Sequence, residues 1–185
     1  MKIKNKKILI SSLILAAVAL AIGGYYFFRA SKDKKIVFSY DRYPKYQAKI
    51  AYLLNQEFEF ISISPSDLSI ALVDLNDDGI PEVIAYSLAS GISGAGGGYT
   101  GIYSQTKSGL KLIWDQSLTD GDLAKSMHKT NGYHDLISYV IGWDPPYKSK
   151  DRKHTLAWVG PNGYDYVRSE SVTDREREAY KHENL

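Results

Sequence analysis

The chain has 185 residues with 15 tyrosines and no cysteine, enough for one modest domain, and it excludes disulfides, thiolate zinc sites, a cysteine nucleophile and a lipidated-cysteine anchor. The net charge of +2 hides a division: Lys2, Lys4, Lys6, Lys7, Arg29, Lys32, Lys34 and Lys35 flank one apolar segment, and from Ile36 onward 15 basic and 20 acidic residues leave −5. A mildly acidic domain has no electrostatic footprint for nucleic acid, so no nucleic-acid partner is expected.

Residues 1–7 are short and lysine-rich, and Ile8 to Phe28 runs 21 residues without a charge. Roughly 20 such residues cross a bilayer core. A secretory signal peptide shares this basic start, and Ala19-Leu20-Ala21 offers it a cleavage site. The length, and Tyr25, Tyr26, Phe27 and Phe28 as an interfacial aromatic belt, favour an uncleaved transmembrane signal anchor over residues 8–28. Residues 1–7 are then a cytoplasmic basic segment, and residues 29–35 a polar linker. The cytoplasmic membrane is thus the first expected partner, held through Ile8 to Phe28.

Residues 36–168 read as one extracytoplasmic β-rich domain. Tyr46, Ile50, Leu53, Leu54 and Phe58 recur at helical spacing, and Pro44 suits a first turn, so an amphipathic helix is expected over 43–58. Ser64-Pro65-Ser66-Asp67 is turn chemistry. Strands are expected around Ile70 to Val73 and Val83 to Tyr86, with a glycine-rich connection from Gly91 to Gly98. A hairpin follows over 99–114, and then a short segment through Met127. Thr130-Asn131-Gly132-Tyr133 turns into a strand over 135–141 that Asp144-Pro145-Pro146 breaks. A last hairpin folds around Gly160-Pro161-Asn162-Gly163. Residues 169–185 are rich in charge and read as a frayed helix or tail. The fold class expected is α+β: a mainly antiparallel β-sheet with one packed N-terminal amphipathic helix, preceded by a transmembrane helix. A single sheet is the simplest architecture, and no repeat at a fixed period is visible.

The most specific stretch is Asp74 to Glu82, D-L-N-D-D-G-I-P-E. Asp74, Asn76 and Asp78 occupy alternate positions, Gly79 permits a sharp turn, Ile80 offers its main-chain carbonyl, and Glu82 follows at position nine. A hard cation such as calcium takes six to eight oxygens, and this spacing turns alternate side chains inward to supply them. Position twelve is Ala85 instead of a bidentate glutamate, and strand residues follow instead of a helix, so the loop is not an EF-hand. A hydrated Asx turn without an ion is the plainer alternative. Three carboxylates crowded beside Gly79 favour the metal.

The D-L-N-D-D-G-I-P-E-V-I-A segment resembles the calcium loop of FG-GAP and VCBS-type repeats, in which an acidic loop sits between two strands. The resemblance implies Asp74, Asn76, Asp78, Ile80 and Glu82 as the metal ligands and calcium as the cofactor. With Gly94 to Gly98 before one strand and Thr130 to Leu136 before another, the arrangement is similar to small single-copy bacterial envelope proteins carrying one such loop.

Other chemistry is weakly signalled. Gly96 to Gly101 matches G-x-G-x-x-G, but a strand follows it where a dinucleotide site needs a helix. His128, His134 and His154 are too scattered for a zinc signature, and no G-x-S-x-G elbow occurs. Asp115, Asp120, Asp122 and Asp135 are candidates for a carboxylate pair, although turn and strand-cap roles explain them more simply. The aromatic residues read as core and cross-strand pairs, with Trp143 to Tyr147 as a loop suited to recognition. The reading is a non-enzymatic, membrane-anchored calcium-binding module of the cell envelope, facing the periplasm or extracellular side. Its partner is an envelope protein or a cell-wall glycan, with an inhibitor or immunity role within that class. The alternative is a calcium-dependent carbohydrate or peptidoglycan hydrolase.

Overall fold

The computed structural model describes residues 33–58, 60–93, 97–118, 123–140, 152–161, 163–173 and 176. The anchor expected over Ile8 to Phe28, the Trp143 to Tyr147 loop, Asp120 and Asp122 lie outside them, as does most of the expected tail. Among the described residues no helix is long and apolar enough to cross a membrane.

Helix α1 spans Pro44–Glu57, with the proline in its first turn, and buries Gln47, Ile50, Ala51 and Leu54. Asn55 ties it to the chain that follows: its Nδ2 donates to the Ile63 carbonyl at 2.9 Å, and its Oδ1 accepts the Ile63 N–H at 2.7 Å. Among the described residues there are nine strands: β1 (Lys34–Lys35), β2 (Ser69–Val73), β3 (Glu82–Ser87), β4 (Gly98–Thr106), β5 (Gly109–Leu118), β6 (Leu123–Thr130), β7 (Tyr133–Val140), β8 (Arg152–Trp158) and β9 (Tyr164–Ser171).

The strands form two sheets, where one was expected. Sheet 1 runs β2-β3-β4-β5 and sheet 2 runs β1-β6-β7-β8-β9, with every pairing antiparallel. The cause lies in the side chains of sheet 1, which are apolar on both faces. Ala71, Ile84, Ile102, Trp114 and Leu118 meet Leu123, Leu136, Leu156 and Tyr164 of sheet 2 in one core. On the other face Ile70, Val83, Ala85, Tyr99 and Tyr103 meet Ile50, Ala51 and Leu54 of α1. The layers are therefore helix, sheet 1, sheet 2, and each fully buried aliphatic side chain contributes roughly 1.5–3 kcal/mol. The expectation of a mainly antiparallel β fold with one packed helix holds.

Three boundaries move. Lys34–Lys35, expected in the linker, pairs with Lys125 and Ala124 as β1. The short segment through Met127 is a full strand, β6. Strand β9 reaches Ser171, into the expected tail, because it pairs with β8 as far as Arg152. The turn between β6 and β7 is the one the sequence signals, with Asn131 and Gly132 both at positive φ (52° and 89°).

Tyr99, Tyr103, Trp114, Tyr133, Trp158 and Tyr164 pack as expected of core and cross-strand pairs, whereas Tyr166 is exposed. Trp114 and Trp158 both meet the Tyr164 ring edge-on, at 5.8 and 5.4 Å between centroids, and Trp158 stacks on Tyr133 at 4.1 Å. On the helix side of sheet 1, the Tyr99 and Tyr103 hydroxyls lie 3.0 Å apart across Gly101. A Cβ at Gly101 would sit 2.5 Å from the Tyr99 Oη, so glycine is required by the close approach of the ring.

Candidate metal centre

The acidic loop joins β2 to β3 and reverses the chain through two left-handed residues, Asp77 at φ 61° and Gly79 at φ 83°. The side chains expected as ligands fold it from within. Asp74 accepts the Asp77 N–H on Oδ1 at 2.7 Å and the Gly79 N–H on Oδ2 at 2.9 Å. The Asn76 Oδ1 accepts the Asp78 N–H at 3.0 Å, while its Nδ2 donates to Asp78 Oδ2 at 3.0 Å. Asp78 Oδ1 accepts the Ile80 N–H at 2.7 Å. These bonds hold the Asp74 carboxyl below the usual range, against the desolvation and the neighbouring Asp77 charge that raise it.

Glu82 differs. It opens β3, is 3% exposed, and accepts the Leu75 N–H on Oε2 at 2.8 Å. Burial pushes its carboxyl up; the Leu75 bond acts against this, and the charges of Asp78 and Asp74 add to the rise. Ile80 is half exposed at the tip. The structure therefore brings the five expected residues into one loop, with Glu82 as its buried end.

The chemistry of the donor set suits a hard cation: Asp74, Asn76, Asp78 and Glu82 offer side-chain oxygens, and Ile80 a carbonyl. Each bonded carboxylate oxygen keeps a second lone pair. The carboxylates are nonetheless turned onto loop N–H groups. Among the described residues no three His, Cys, Asp or Glu side chains are gathered as a metal site.

Asp77, absent from the expected ligands, has a different task. It points to sheet 2, where Lys129 Nζ lies 2.5 Å from Oδ2 and Lys125 Nζ 3.4 Å from Oδ1. His134 Nε2 lies 3.1 Å from both carboxylate oxygens. The His134 Nδ1 faces the Ser126 carbonyl at 2.7 Å, so both ring nitrogens meet oxygens that accept. Lys129, then His134, hold the Asp77 carboxyl well below its ordinary range, with Lys125 adding to them against desolvation. Main-chain bonds complete the attachment: Lys125 Nζ donates to the Asp74 carbonyl at 2.5 Å, and the His134 N–H to the Leu75 carbonyl at 2.7 Å. None of these three side chains bonds the carboxylates of Asp74, Asp78 or Glu82. The signal in the sequence was the odd position itself, since an aspartate between two ligand positions must face out of the cage.

Of the other carboxylates considered, Asp115 is exposed on β5, with its carboxyl pushed up by desolvation. Asp135 is buried on β7, where His128 Nδ1 meets its Oδ2 at 2.6 Å. The partner of Asp135 is a histidine, not a second acid. Comparison of the chain with protein-family models, with curated proteins and with solved structures gives no match.

Proposed function

We propose that the chain is a membrane-anchored module of the cell envelope whose extracytoplasmic domain takes calcium in the Asp74–Glu82 loop and binds an envelope protein or cell-wall glycan partner, within which class an inhibitor or immunity role falls. The observation that carries the calcium reading is Glu82. A buried carboxylate stands beside the charges of Asp74 and Asp78, and the nearby Lys125, Lys129 and His134 are spent on Asp77 and on main-chain oxygens. A divalent ion among Asp74, Asn76, Asp78, Glu82 and the Ile80 carbonyl relieves that repulsion with the oxygen donors calcium prefers. Bound there, it clamps β2 to β3 and so stiffens sheet 1. The anchor is the segment over residues 8–28, which places the domain on the outer side of the cytoplasmic membrane.

Calcium titration of the full-length protein tests the reading. The expected result is heat of binding and a rise in Tm with calcium, both lost in the Asp74→Ala, Asp78→Ala double variant. No heat and no shift in Tm for the unaltered chain would sink it.

A further inference from the structure

A groove of about 650 Å³ lies between the outer side of α1 and the tip of the β4–β5 hairpin, walled by Lys45, Tyr46, Lys49, Tyr52, Gln105 and Leu110. Its size falls within the roughly 300–1,000 Å³ of ligand sites. No acidic residue lines it, although the domain around it is acidic. Lys45 and Lys49 stand exposed on α1, and neither has an ion-pair partner among the described residues. The Lys49 ammonium rests 5.2 Å from the centre of the Tyr52 ring, which is itself 57% exposed.

Three uncharged polar side chains of the groove, Tyr46, Gln105 and Thr106, are already bonded within the fold. The Tyr46 hydroxyl donates to Gln105 Oε1 at 2.8 Å, and Gln105 Nε2 donates to the Pro81 carbonyl at 2.7 Å. The Thr106 hydroxyl donates to the Gly109 carbonyl at 2.8 Å and lies 3.0 Å from the Ser108 hydroxyl. What stands out for a ligand is two ammonium groups, the exposed Tyr52 ring with its hydroxyl, and the apolar surface of Leu110 and Ala48. A glycan strand needs hydrogen-bond partners for its hydroxyls, and hydroxyls left unmatched on burial weaken binding. A peptide with apolar side chains between carboxylates asks only for what the groove offers.

We infer that this groove docks an acidic peptide segment of a partner protein, its carboxylates on Lys45 and Lys49 and an apolar side chain against Tyr52 and Leu110. The inference rests on the interaction-module reading and narrows it to a protein partner. Gln105, bonded at both ends, holds the floor in place before the peptide arrives, which lowers the ordering cost of binding.

The test is selection of a random peptide library on the full-length protein in detergent micelles, beside an array of neutral and uronic-acid oligosaccharides. The expected pool is enriched in Asp or Glu flanking Leu or Phe. A selected peptide binds at least about tenfold more weakly to the Lys45→Glu, Lys49→Glu variant, a change of about 1.4 kcal/mol. That variant alters only exposed side chains, so its Tm stays at the parent value, and a library reselected on it turns basic. A pool without acidic bias, a selected peptide indifferent to the charge reversal, or oligosaccharide binding that the reversal removes would each overturn the inference. Failure of both peptides and glycans to bind the parent chain would remove the interaction-module reading itself.

Discussion

The two sheets are both antiparallel, yet they are held by different physics. All six residues of β3 are buried, because α1 covers one face of sheet 1 and sheet 2 the other. Strand β9 is exposed from Asp165 through Ser169. Sheet 2 places Leu123, Leu136, Leu156 and Tyr164 in the shared core and brings Lys125, Lys129 and His134 to the acidic loop. Sheet 1 is thus placed by burial, and sheet 2 by burial on one side and ionic attachment to the loop of its neighbour.

The largest expected effect is in the shared core. Ile84→Ala, at a position with no exposure, should lower the unfolding free energy by about 2–5 kcal/mol in urea. Val167→Ala on β9, at 55% exposure, should change it by no more than about 0.5 kcal/mol. Equal losses would break the contrast between the sheets. Next is Gly101→Ala, which drives a methyl group into Tyr99 and should cost about 1–3 kcal/mol, while leaving the attachment of the loop to sheet 2 untouched.

The smallest effect concerns the ionic attachment. The folded-state pKa of Asp77 is depressed from 3.8, so its contribution is present above that value and is lost as pH falls through the lower folded value. Asp77→Asn should therefore flatten the loss of stability below about pH 4, which paired melting curves across the acid range would reveal. An unchanged acid limb would mean that the ion pairs add nothing to the docking of the loop, as holds for many exposed pairs.

Much of the helix, of sheet 1 and of the β6–β7 turn could be read from the chain because the signals are local. Ile50 and Leu54 repeat with the helical period, Val83 to Tyr86 is a continuous apolar run, and Asn131-Gly132 announces a two-residue turn. Strand β6 could not. In Leu123-Ala124-Lys125-Ser126-Met127-His128-Lys129-Thr130 the alternation fails because Lys125 and Lys129 reach across to the loop, and the pairing with β7 is irregular between those two lysines. Gln47 was hidden for a similar reason. It is buried inside α1, with Nε2 donating to the carbonyls of Tyr40 and of Leu68 at 2.8 Å, a pairing that exists only once the chain has folded back. For the candidate site, the spacing from Asp74 to Glu82 fixed which side chains share the loop, whereas the role of Asp77 required its partners on another sheet.

Strand β1 carries a kinetic consequence. Each of the other strand pairings joins neighbours in sequence, so hairpins can close over short loops. Lys34–Lys35 must instead wait for Ala124 and Lys125, its partners far along the chain on β6. During synthesis this strand can thus be seated only after β6 has been made. In pulse-labelled refolding, the Ile36 amide, which donates to the Leu123 carbonyl at 2.8 Å, should gain protection from exchange after the amides of the β6–β7 hairpin. Simultaneous protection would mean that sheet 2 assembles in one step, with its oldest strand already in place.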